Sequence, residues 1–343
     1  MKIYTASDIS DFPCAQALRI PCVVAHKKNV FALFECRFTR SDWASISLIM
    51  KHSADGGQSF GEPTVFADGQ TENTTYNNPV AALDGDGVLH TVFCSEYGVR
   101  ERNGGVFYRT FTRRNGLSET KDISNITEKC ECNVFAAGPT AAVFTQNGDF
   151  AVPVWYVPKK EGGEPTSHHP GRVRMLFGKN VCRDWELGEE IPLGKTTDPN
   201  ESSAAELPDG SFYISIRDND TRCRCFSVCT ADGRGSPIQT EPALPDPVCC
   251  GAVCSARYNG VDYLLMSNCA DAEARRNLCV SLSVNGGKTW VNKITVEAGD
   301  AGYSDIAFNG EDSVFVLFES DGGRSLKLAK IGMDKLIATQ TKQ

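Results

Sequence analysis

Long apolar runs are missing from this 343-residue chain. None approaches the roughly 20 residues that a helix needs to span a bilayer. Positive charge is in short supply as well: 35 Lys and Arg stand against 43 Asp and Glu, a net charge of -8. That balance argues against a nucleic-acid partner, which calls for a basic face, and against anchorage on an anionic membrane surface. An acidic chain still holds an anion where arginines cluster locally. The first thirty residues carry Asp8, Asp11 and Pro13 and no apolar h-region. The expectation is therefore a cytoplasmic protein, although a secreted chain trimmed before Met1 reads the same way. No segment keeps a long 3.6-residue apolar period, which excludes a helical bundle. Paired C-x-x-C motifs are absent despite 15 cysteines. The tightest groups, Cys223, Cys225 and Cys229, then Cys249, Cys250 and Cys254, lack the spacing of a zinc site, so no metal is expected. An odd count without a leader favours free thiols that serve as small buried hydrophobes in a reducing compartment.

What is present is a core and a repeat. Hydrophobic residues make up 41% of the chain and charged ones 23%, as in a globular protein. The stretches SADGGQSFGEP (53–63) and SVNGGKTW (283–290) share one template, Ser-x-Asp/Asn-Gly-Gly-x-Ser/Thr-aromatic. This is a tight hairpin turn: the Asp or Asn side chain bonds nearby amides and the glycines supply positive φ. The aromatic is expected to pack back on its own sheet. Weaker copies begin at 112, 178 and 230, so the spacing is about 50 to 65 residues. Between the copies lie short strand-like runs such as DFAVPVWYV, SFYISIR and SVFVLFES. Four short strands per repeat is the arithmetic of a β-propeller. Five marked repeats and one closed by the two termini predict an all-β, six-bladed propeller that uses residues 1–343 as a single domain.

One charged residue stands out in an apolar strand: Arg19 in QALRIPCVV (16–24). A buried guanidinium without a partner is costly. Boxes of this form together with an Arg-Ile-Pro element resemble the exo-sialidases (neuraminidases) of the bacterial and animal type. The resemblance implies that Arg19 belongs to an arginine triad clamping a substrate carboxylate, a task suited to the planar, bidentate guanidinium. NESSAAELPDGSFYISIRD is similar to the family's Glu…Glu-Leu-Pro-Asp-Gly…Arg segment and supplies Glu201 and Arg217. Glu206 rivals Glu201 but directly precedes the turn. In ARRNLCVSLSVNGGKTW the family pattern points to Arg275, with Arg276 as the alternative, since strand alternation sends the two to opposite faces.

AGYSDIAF resembles the family's nucleophile segment and offers Tyr303. A sialic acid carries its carboxylate on the anomeric carbon, so a carboxylate nucleophile would meet like charge there. Sialidases use tyrosine instead. A phenol needs a base within reach, and Glu201 takes that part. LFECRFTRSDWASISLIMKHSADGG reads as strand, loop and strand, with Arg37 ending the first strand and Asp42 in the loop. The resemblance implies that Arg37 touches the sugar hydroxyls and that Asp42 serves as acid and then base, with Arg40 competing with Arg37. Glu319 in VFVLFES matches the carboxylate that braces the first arginine. Asp55, Asn285 and Asp305 read as turn or framework residues. The polar stretch 159–174, with His168 and His169, reads as a loop able to reach over the pocket. Trp43, Met50, Phe93 and Trp155 are candidates for contact with an N-acyl group.

The resemblance implies a retaining exo-sialidase that cleaves terminal α-linked sialic acids from glycans, glycoproteins or glycolipids through a tyrosyl intermediate, with no metal or organic cofactor. The alternatives are a sialic-acid-binding propeller without hydrolysis, a trans-sialidase, and a hydrolase for deaminated sialic acid.

Overall fold

The computed structural model of the protein describes residues 4–6, 15–140, 142–160 and 164–338. Asp8, Asp11, Pro13 and residues 161–163 of the long polar loop lie outside them. Six antiparallel sheets follow one another along the chain. Blade I comprises Ala17–His26, Asn29–Arg37, Ile46–Ser53 and Thr64–Ala67. Blade II comprises Tyr76–Leu83, Leu89–Ser95, Gly105–Thr112 and short outer strands at Gly116–Leu117 and Lys121–Asp122. Blade III has Cys132–Ala137 and Val143–Phe144 side by side on Phe150–Pro158, then Arg172–Lys179 and Asp184–Leu187. Blade IV runs through Pro199–Glu206, Phe212–Asp218, Cys223–Cys229 and Gln239–Pro245, and blade V through Ala252–Tyr258, Val261–Cys269, Arg276–Ser283 and Val291–Asp300. Blade VI holds Ser304–Phe308, Ser313–Ser320 and Ser325–Gly332, and Tyr4–Ala6 completes it by pairing Tyr4 with Lys330. The two ends of the chain thus share one blade of a six-bladed β-propeller.

Each blade is covered on both faces by its neighbours, so its middle strands are apolar throughout instead of alternating. Asn29–Arg37 is buried at every position after the first, and Ser313–Ser320 at every position. Successive blades are tied to one another around the axis. Val23 N donates to Asp305 Oδ2 (2.7 Å), Asn78 N to Glu35 Oε1 (3.0 Å) and Asn78 Nδ2 to Ala137 O (2.9 Å). The ring continues through Ser202 N to Gly138 O (3.0 Å), Val253 N to Ser203 Oγ (3.1 Å) and Ser304 N to Cys250 O (3.2 Å).

The two full boxes close as expected. Ser53 Oγ takes the Gly57 N–H (2.9 Å) and Asp55 Oδ1 those of Gln58 and Ser59 (2.9 and 3.0 Å). Ser283 and Asn285 repeat this on Gly287 and Thr289 (both 3.0 Å). Gly287 is obligatory: at φ 84 a Cβ would lie 2.3 Å from the Tyr213 ring. The box aromatic does more than expected: Trp290 of blade V packs on Tyr213 of blade IV (centroids 5.8 Å apart) as well as on the cluster that holds Val253, Leu264 and Met266 of its own blade.

All fourteen cysteines among the described residues are free thiols. Among those residues no three His, Cys, Asp or Glu are grouped to hold a metal ion, and no helix is long and apolar enough to cross a membrane.

Candidate active site

Arg19 and Glu201 lie near the start of a blade's first strand, and Tyr303 immediately precedes one. Arg37 and Arg217 lie at the end of a second strand. Antiparallel pairing brings these positions to one end of the ring: Arg19 is opposite Glu35, Ala17 opposite Arg37, and Pro199 opposite Asp218. There they line a cavity of about 210 Å³ together with Asp42, Tyr97, Trp155, His168, His169, Asn200 and Arg275.

The strand carrying Arg19 slips register between Arg19 and Cys22. Ile20 sits in the left-handed region (φ 57) before Pro21, an unfavourable place for a β-branched residue. Glu319 stabilises it. Its Oε1 accepts from Ile20 N (3.0 Å) and Arg19 Nε (3.1 Å), and its Oε2 from Arg19 Nη2 (3.4 Å) and Tyr303 N (3.3 Å). A Cβ on Gly302 would come within 2.4 Å of Glu319 Oε2, so glycine is required there. One blade further on the device recurs. Asn78 (φ 51) precedes Pro79, and Glu35 binds Asn78 N (3.0 Å) with one oxygen and Arg37 Nε (2.7 Å) with the other. Glu35 was legible in principle: like Arg19, it is a lone charge in an apolar run.

Tyr303 is buried, and its hydroxyl donates to Glu201 Oε1 (2.8 Å) while Arg217 Nη1 lies 2.6 Å from it. The same Nη1 reaches Glu201 Oε2 at 2.5 Å. Guanidiniums of Arg19, Arg275 and Arg217 lie 5.0, 5.3 and 6.0 Å from the centre of the Tyr303 ring. Burial pushes the Tyr303 phenol well above its usual range. Arg217 opposes that shift and Glu201 adds to it. The phenol is therefore protonated at neutral pH, with a carboxylate in place to take its proton. Arg275 resolves against Arg276: Arg275 lines the cavity and donates to Val248 O (3.3 Å), whereas Arg276 is exposed and paired with Asp271 (2.6 Å). Glu206 accepts from Gln146 N at the other end of its strand, away from the cavity.

Arg37 is buried and bridges Glu35 to Asp42 Oδ1; Arg19 lies 4.0 Å from the same oxygen. Burial raises the Asp42 pKa, but Arg37 and then Arg19 more than offset this and hold the carboxyl below its usual range. Arg40 is exposed and stands outside this cavity.

The remaining wall is aromatic. His168 packs 4.8 Å from Tyr97, 5.4 Å from Trp155 and 5.5 Å from Trp43. Asn200 Nδ2 holds the His168 carbonyl (3.1 Å), and His169 Nδ1 lies 2.7 Å from Asp198. Burial lowers the His168 pKa against the pull of Asp42 and Glu201, so the ring is neutral at neutral pH. Of the four proposed acyl contacts, Trp43 and Trp155 border this wall, while Met50 and Phe93 are core residues of blades I and II. Tyr97, which completes the wall, carried no signal in the sequence beyond being an aromatic beside Gly98.

A family model described as a BNR repeat-like domain matches residues 30–316. A sialidase of Bacteroides fragilis is 21% identical over 89% of this chain and 60% of its own length. A sialidase of Micromonospora viridifaciens is 23% identical over 94% of this chain and 53% of its own. The chain thus spans little more than half the length of these relatives. Among solved structures, a Hadza microbial sialidase superposes with a TM-score of 0.82 at 17% identity, covering 97% of this chain and 68% of that one.

Proposed function

The chain belongs to the BNR-repeat sialidase family, and from that premise we propose that it is a retaining exo-sialidase acting on terminal α-linked sialic acids of glycans, glycoproteins or glycolipids. One observation carries the reading: a buried tyrosine hydroxyl 2.8 Å from a carboxylate, its ring surrounded by three guanidiniums.

Arg19, Arg217 and Arg275 hold the substrate carboxylate and so fix the anomeric carbon beside Tyr303. Tyr303 Oη attacks that carbon and passes its proton to Glu201. The bond to the leaving oxygen breaks, and that oxygen takes a proton from Asp42. In the second half Asp42, now a carboxylate, takes a proton from water as the water displaces Tyr303 Oη, which recovers its own proton from Glu201. Glu319 and Glu35 keep Arg19 and Arg37 in single rotamers. Arg37 contacts ring hydroxyls.

The test is release of methylumbelliferone from its α-sialoside by the wild type and by Tyr303→Phe. The wild type is expected to turn over, and the variant to lose turnover while still binding substrate, because the arginines remain. Near-normal turnover by the variant would remove Tyr303 as nucleophile. Binding without release by the wild type would make the protein a sialic-acid-binding propeller.

A further inference from the structure

A second cavity, of about 260 Å³, adjoins the first and shares Arg19 and Arg275 with it. Its remaining lining includes Arg40, Asp300, Glu319 and the glycines Gly302, Gly322 and Gly323. The proposed mechanism uses none of this space. We propose that it receives the leaving group, and that Arg40 selects leaving groups that themselves carry an anion, a second acidic sugar or a sulfated one. The inference rests on the sialidase reading of the adjoining site.

Three observations support it. In a sialoside the carboxylate and the glycosidic oxygen share one carbon, so the leaving group must lie beside the arginines that hold the carboxylate. Arg40 is two residues from Asp42, the group assigned to that oxygen, and sits in the same loop. The lining holds no aromatic ring against which a neutral sugar would pack, and its glycines leave room beside charged groups. Among the described residues Arg40 makes no ion pair or side-chain hydrogen bond, and it is exposed. The two carboxylates are already engaged. Glu319 is occupied by Arg19, Ile20 N and Tyr303 N, and Asp300 Oδ2 accepts from Gly322 N (2.7 Å). Glu319 and Glu201 already pair with Arg19 and Arg217, so a substrate carboxylate offsets the one remaining charge of the triad, and Arg40 is the cation left facing the leaving group.

The experiment compares kcat/KM on three substrates: 3′-sialyllactose, an α2-8-linked disialic acid, and sialyllactose sulfated on galactose. At low salt the wild type is expected to favour an anionic leaving group about fivefold, the range of a partly exposed ion pair, and to lose much of that preference in 0.5 M salt. Preference for the disialic acid alone identifies a carboxylate as the group read, for the sulfated substrate alone a sulfate, and for both a general anion; each supports the proposal. Arg40→Ala should abolish the preference and Arg40→Lys retain part of it. Asp300→Asn, which keeps an acceptor for Gly322 but removes a like charge, should widen it. A wild-type ratio of one or below, or a preference that survives Arg40→Ala, overturns the proposal. The same ratios are measured as binding affinities on Tyr303→Phe. Absence of turnover in the wild type would then count against the hydrolase reading, while the Arg40 preference remains measurable.

Discussion

A carboxyl group held ionised must gain a proton before it can give one away. Asp42 is in that position, because Arg37 and Arg19 keep it below the usual carboxylate range against the effect of burial. A lowered pKa means that the protonated fraction is appreciable only on the acid side and shrinks as pH rises. For sialosides with sugar leaving groups, kcat/KM should therefore fall as pH increases from the carboxylate range toward neutrality. The methylumbelliferyl substrate, whose leaving group needs little protonation, should fall much less. Parallel pH profiles on the two substrates would take the acid role from Asp42. At this scale much of the site was readable. Arg19 and Glu35 each interrupt an apolar run, and burying such a charge is tolerable only with a partner, whereas Glu319 ends one and was expected from the family resemblance. The partners themselves were not readable from that pattern, since Arg19 and Glu319 are 300 residues apart.

The loop that carries Asp42 joins the second and third strands of blade I and is held from outside its own blade. The Trp43 ring lies 5.2 Å from the Arg102 guanidinium, 5.0 Å from Tyr97 and 5.5 Å from His168. Arg102 also donates to Trp43 O (3.4 Å) and is itself paired with Glu96 (2.6 Å). Blades II and III thereby position the acid that blade I supplies. Trp43→Ala is expected to lower kcat on 3′-sialyllactose by about tenfold or more through misplacement of Asp42, to affect the methylumbelliferyl substrate far less, and to be largely rescued by Trp43→Phe. Equal losses on both substrates would show that Trp43 does not act through the acid. The strands and the box turns were legible as elements because their signals are local: turn residues at fixed offsets and unbroken apolar runs. The packing of Trp290 on the preceding blade was not, because a turn's sequence says nothing about the sheet it projects over.

Closure belongs to the whole molecule. The last blade meets the first through Asp305, whose buried carboxylate accepts from Val23 N (2.7 Å) and from Ile306 N (2.8 Å). Removing it strands buried amides, so Asp305→Ala should cost about 2–3 kcal/mol in urea unfolding, whereas Asp305→Asn, which keeps an acceptor, should cost distinctly less. An unchanged midpoint in the alanine variant would mean that this carboxylate does not hold the ring closed.

The chain by itself determined the number of blades, the sharing of one blade by both termini, and the order of arginines, acids and tyrosine. All of these are written in spacing, turn chemistry and isolated charges, which are properties of neighbouring residues. Only the tertiary structure placed Arg275 at the cavity and Arg276 outside it, brought Glu35 and Tyr97 to the site, and separated Trp43 and Trp155 from Met50 and Phe93. Those outcomes depend on which blades lie side by side around the axis, and that proximity arises only when the ring closes.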